Sequence, residues 1–93
     1  MTQNMNIIEN SEDIYAYLIA THREYIVRTL ILSAIKGQNI CYIKFDTIKF
    51  SYNFGSPSEI LRETIIRIIN SDIRLAGVTI LVEKDEKTVI FLW

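Results

Sequence analysis

The chain is poor in the residues that build most recognisable active sites. It has one cysteine, one histidine, one proline and three glycines in 93 residues. A single Cys41 excludes an internal disulfide, and one Cys with one His is too few for a zinc site of soft ligands. The three glycines are isolated, so there is no phosphate-cradling loop. Neither charge sign is in surplus: ten Lys and Arg stand against eleven Asp and Glu, which removes any global field steering the chain to nucleic acid or anionic lipid. No apolar run approaches the ~20 residues of a membrane span, and the N-terminus lacks the basic and apolar parts of a secretory signal. The expectation is therefore an intracellular (cytoplasmic or other) protein with no membrane contact, no metal and no cofactor.

What is present describes a small folded domain. Apolar residues make up 49% and charged residues 23%, a balance that favours a packed core over disorder. Isoleucine occurs 18 times against seven leucines and four valines, a bias that suits sheet. Residues 1–10 read as a flexible polar tail, leaving 11–93 as a single α+β domain.

Two helix-start signatures divide that domain. Thr21-His-Arg-Glu24 and Ser56-Pro-Ser-Glu59 both have the capping-box pattern, a hydroxyl for an orphan N–H and a glutamate that reaches back. The first opens a helix over 22–36 that ends at Gly37, with Ile26, Val27, Leu30, Ile31, Ala34 and Ile35 as its apolar stripe. The second opens a helix from Pro57 to about Asn70 with Leu61, Ile65, Ile68 and Ile69 buried. Glu24 with Arg28, and Glu63 with Arg67, are spaced as helix ion pairs. If a cap stands at Thr21, the aromatic and β-branched run Ile14–Ala20 is extended and forms a strand; a single helix from Ser11 to Lys36 is the alternative.

From Ile40 to Phe54 the alternation changes phase at Asp46-Thr47, the mark of a bulge or a tight hairpin. As a hairpin it sets Lys44 opposite Lys49, with Tyr42 on the same polar side. Val78–Glu83 and Thr88–Trp93 form a terminal hairpin around Lys84-Asp-Glu-Lys87. The fold expected is a two-layer βαβαββ sandwich, a mixed sheet with two helices on one face. A winged helix is the alternative, with 57–70 as recognition helix and 78–93 as wing.

Catalysis has little to stand on. Cys41 falls on the apolar side of a strand, His22 in the first turn of a helix, and Glu59 and Glu63 have arginines beside them. No catalytic residue is assigned. The remaining chemistry is Tyr42 with Lys44 and Lys49, a face suited to stacking a base and holding phosphate, or simply a solvated sheet face.

In this order of elements the chain resembles the Alba family of small chromatin- and RNA-associated proteins. Leu18-Ile-Ala-Thr-His-Arg23 stands where that family has its first strand and loop. Glu24 to Gly37 stands for the helix, Gln38-Asn-Ile-Cys-Tyr-Ile-Lys44 for the second strand, and Asp72-Ile-Arg-Leu-Ala-Gly77 for the approach to the third. The resemblance implies a homodimer gripping RNA or DNA by its backbone. Carried over by position, it points to His22 and Arg23 in the loop, Lys44 at the strand end, and Lys84 and Lys87 in the terminal hairpin. The family's adjacent loop lysines and long basic arm have no counterpart here.

Two functions are therefore carried forward. One is a non-enzymatic, nucleic-acid-associated dimer. The other is a protein-interaction or structural subunit, viral or of some larger assembly, that meets a protein partner through the apolar C-terminal hairpin and binds no nucleic acid.

Overall fold

The computed structural model describes residues 10–93. Among these residues, two α-helices and a three-stranded antiparallel sheet make an α+β fold. The first helix, α1, spans Ser11–Ile35, 25 residues or about 37 Å at 1.5 Å per residue. Strand β1 covers Ile40–Lys44, a 3-10 turn covers Thr47–Phe50, and helix α2 runs Pro57–Ser71. A second 3-10 turn at Ile73–Leu75 leads to β2 (Thr79–Val82) and β3 (Thr88–Leu92). The last strand lies in the middle, in the order β1-β3-β2.

Residues 11–20 are helix, not strand, so the first strand of the expected sandwich and its mixed sheet are absent. The cap that matters is Asn10, whose Oδ1 accepts the N–H groups of Glu12 (2.9 Å) and Asp13 (3.4 Å). Glu12 and Asp13 also place negative charge at the positive end of the helix. Asn10 is thus part of the domain; the rest of the tail expected over 1–10 lies outside the described residues. Thr21 is an interior helical residue whose hydroxyl donates back to the carbonyl of Leu18 at 3.1 Å. Glu24, the other half of the apparent box, reaches across to Arg74 at 2.7 Å instead of back to Thr21 or forward to Arg28. Tyr15, Leu18, Ile26 and Leu30 form one buried stripe through the supposed boundary.

The chain does not fold back at Asp46-Thr47 either. Asp46 caps the 3-10 turn, accepting the N–H of Ile48 at 3.2 Å. The turn rotates Phe50 into the core and leaves Ile48 in solvent, which is how the phase change is resolved. Strand β1 pairs with β3, Cys41 opposite Phe91 and Ile43 opposite Val89, so Lys44 faces Thr88 and not Lys49.

Other boundaries follow the sequence. Gly37 takes φ +82°, its N–H bonding Ala34 and that of Gln38 bonding Ser33, a Schellman stop for α1. At α2 the capping box is complete: Glu59 N–H to Ser56 Oγ (3.3 Å) and Ser56 N–H to Glu59 Oε1 (2.9 Å). The terminal hairpin closes around Asp85, which accepts the N–H groups of Lys87 and Thr88, both at 2.9 Å.

Both helices contribute to a core with the inner side chains of the sheet. Leu18, Ile26, Phe50, Leu61, Ile65, Ile68, Val89 and Phe91 are fully buried, with Cys41 at the margin of this group. The other side of the sheet is open. There Tyr42, Ile90 and Leu81 lie in one register across the three strands, Tyr42 and Leu81 about 60% exposed. The end of α1 also leaves Ile31, Leu32 and Ile35 uncovered, so part of the apolar stripe expected there faces solvent. No helix of the described residues is long and apolar enough to cross a membrane.

Candidate nucleic-acid interface

Where α1 passes the end of β1 and the 3-10 turn, the surface opens into a cleft of about 490 Å3. One wall is helical: Tyr17, Thr21 and Tyr25 follow each other at four-residue spacing, with His22 beside them. The other wall is the segment from Lys44 to Tyr52, bringing Lys44, Asp46 and Lys49. The local folding explains the convergence. Continuing α1 back to Asn10 puts Tyr17 on the same helical face as Tyr25, and the 3-10 turn projects Lys49 while burying Phe50.

His22 is fixed by its surroundings. Its Nδ1 lies 2.8 Å from the carbonyl oxygen of Leu18, an atom that only accepts, so Nδ1 carries the proton and Nε2 is the ring's free nitrogen. The imidazole packs on Phe50 at 5.0 Å and near Phe45 at 6.2 Å. Tyr52 is held from behind by stacking on Phe54 at 5.9 Å, and Phe54 meets the edge of Tyr15 at 5.5 Å. Tyr17 and Tyr25, by contrast, are 61% and 55% exposed. Asp46, the one carboxylate lining the cleft, is occupied with the Ile48 N–H. Lys44 and Lys49 form no ion pair among the described residues.

The arginines are placed otherwise. Arg23 points away from the cleft, donating to Asp72 at 3.1 Å and to Ser71 at 3.2 Å. Arg74 joins Asp72 and Glu24, both at 2.7 Å. These guanidinium groups, Arg74 foremost, hold the Asp72 carboxyl well below the usual carboxylate range against the opposing effect of burial. Arg67 joins Glu12 and Glu63 and lies 4.1 Å above the ring of Tyr15. These three arginines are engaged with carboxylates that tie the helices together, while Arg28 and Arg62 are exposed but do not line the cleft.

No known family model, curated relative or solved structure matches the chain. The site thus stands on its own geometry.

Of the residues singled out in the sequence, His22, Lys44 and Lys49 meet in the cleft. Arg23 does not, because its side chain belongs to the α1–α2 ion-pair cluster. Tyr42 is on the open sheet face, two residues from Lys44 on the same side of β1. Lys84 and Lys87 are exposed in the turn between β2 and β3, with the carbonyl of Lys87 accepting the N–H of Phe45 at 2.8 Å. Tyr17, Tyr25 and Tyr52 also line the cleft and are not among those residues. The Tyr17–Thr21–Tyr25 spacing signals the first two only where residues 11–20 are helical, and no local pattern signals Tyr52.

The cleft is suited to non-covalent binding of something anionic and aromatic. Cys41 is buried on the far side of β1 from Lys44 and does not line the cleft. Among the described residues no three His, Cys, Asp or Glu side chains gather to hold a metal.

Proposed function

We propose that this chain is a non-enzymatic intracellular protein that associates with RNA or DNA through phosphate contacts in the tyrosine-lined cleft. The observation that carries this reading is the meeting of Lys44 and Lys49, both exposed and unpaired among the described residues, with His22 and three tyrosines. Phosphate contacts of this kind give affinity with little reading of sequence. The order of elements favours a winged-helix frame over the Alba-like sandwich. Even so, α2 is a poor element to lay in a DNA groove, because its outer side sets the carboxylate of Glu59 against the one cation Arg62, with the half-buried Ile66 beside them. The nucleic acid is therefore assigned to the cleft.

We place a second copy of the chain on the open sheet face, where the Tyr42–Ile90–Leu81 row gives an apolar strip. The same strip supports the other reading, a subunit whose partner is a different protein. Salt titration of binding to labelled RNA and duplex DNA separates the two. Two phosphate contacts per chain give a log–log salt slope of about −1.4 on a single strand or −1.8 on a duplex. Lys44→Glu with Lys49→Glu abolishes binding while the melting temperature stays. Absence of binding at low salt leaves the protein-partner reading.

A further inference from the structure

We propose that the cleft selects single-stranded nucleic acid, stacking unpaired bases on Tyr17 and Tyr25 while Lys44 and Lys49 hold the phosphates between them. This rests on the phosphate-binding reading above and names the form of nucleic acid that the cleft accepts.

Three observations favour a single strand. The first is the balance of groups in the cleft, three tyrosines and one histidine against two lysines and one aspartate. Two phosphate contacts are few beside the six to ten or so of a typical duplex binder, so most of the affinity must come from elsewhere. Base–aromatic stacking supplies it, and only unpaired bases present their faces. The second is the exposure of Tyr17 and Tyr25, two helical turns apart on one face of α1, about 12 Å along its axis. That is wider than a 3.4 Å stacked step, so the strand is extended over the helix and the tyrosines take separate bases.

The third is that two further rings of the cleft, one on each wall, are already held in place. Tyr52 is stacked on Phe54, and His22 is bonded to Leu18 and packed on Phe50, so neither has to be ordered when a ligand enters. Nε2 of His22, with the proton on Nδ1, is left as an acceptor for a donor on a base edge. An acidic peptide shares the charge of a nucleic acid but has no use for the tyrosines, and is an outcome of the test.

The test uses the full chain and fluorescein-labelled oligothymidylate of about 16 nucleotides, free or annealed to its complement. Binding is followed by anisotropy at about 50 and about 200 mM salt. The free strand is expected to bind at least about tenfold more tightly than the duplex, and Tyr17→Ala with Tyr25→Ala to remove about tenfold or more of that affinity. Tyr17→Phe with Tyr25→Phe keeps the ring faces and retains the single-strand preference, which separates stacking from any effect on folding. Equal, salt-sensitive affinity for strand and duplex, unchanged by the alanine pair, overturns single-strand selection and leaves phosphate binding in place. Displacement of the strand by poly-glutamate at equal charge concentration also overturns it. No binding to either form at the lower salt overturns both readings.

Discussion

Arg23 Nη1 donates to Asp72 Oδ2 at 3.1 Å, joining the middle of α1 to the end of α2 across 49 residues of chain. Asp72 is buried and also accepts Arg74, whose other carboxylate partner is Glu24, the next residue after Arg23. Two consecutive residues of α1 thus bind the two ends of one short cluster. The same carboxylate caps the following 3-10 turn, its Oδ1 accepting the Arg74 N–H at 3.0 Å.

Acid should loosen this joint. The native Asp72 carboxyl is held below its ordinary value, chiefly by the hydrogen bond from Arg74 and then by that from Arg23. The unfolded chain binds the proton more readily, at about pH 3.9. The stabilisation is therefore complete above that pH and declines as pH falls from there toward the depressed native value. Thermal melts from neutral pH to about pH 2 should show the midpoint falling along that limb. Asp72→Asn should cost about 1–2 kcal/mol at neutral pH and flatten the limb. Asp85, lowered to about 2 by the Lys87 and Thr88 N–H groups, retains part of the slope.

The caps give a test of the helix boundary. Asn10→Ala and Ser56→Ala should each lower stability by about 1 kcal/mol in urea denaturation. Thr21→Ala should stay within about 0.5 kcal/mol of the parent, because its hydroxyl bonds within a helix already formed. A loss at Thr21 as large as that at Ser56 would restore a helix start there.

Arg67 should act through packing as much as charge. Its guanidinium covers Tyr15 while bonding Glu12 and Glu63, so it clamps the first turns of α1 against α2. A double-mutant cycle of Arg67→Met with Tyr15→Leu should give a coupling of about 0.5–1 kcal/mol that persists in high salt.

Phe50 carries the 3-10 turn and, through the ring of His22, the cleft wall. Phe50→Ala should cost about 3–5 kcal/mol by leaving a core cavity. Phe50→Leu should cost much less and keep more of the strand binding proposed for Lys49, which anisotropy on the folded variant measures.

Much of this chain was readable from local chemistry. Ser56, Pro57 and Glu59 start α2 with no help from the rest of the molecule, since every atom of that cap lies within four residues. Gly37 ends α1 because only glycine takes its positive φ at no steric cost. The terminal hairpin was legible from its alternation and turn. The same local pattern misled at Thr21, where Glu24 has a partner, Arg74, fifty residues away in sequence. No window around Glu24 contains that partner.

Composition and spacing alone determined an α+β fold, the second helix, the stop of the first, and a chain with too few Cys and His for an internal disulfide or a zinc site of soft ligands. Tertiary structure decided the rest. Burial of Tyr15 and Leu18 against α2 and the sheet made residues 11–20 helical, and the pairing of β1 with β3 removed the hairpin that would have set Lys44 against Lys49. Those two lysines now meet His22, Tyr17 and Tyr25 across a cleft whose walls come from distant parts of the chain, because side chains converge according to how elements pack, and packing has no signature in a local run of residues.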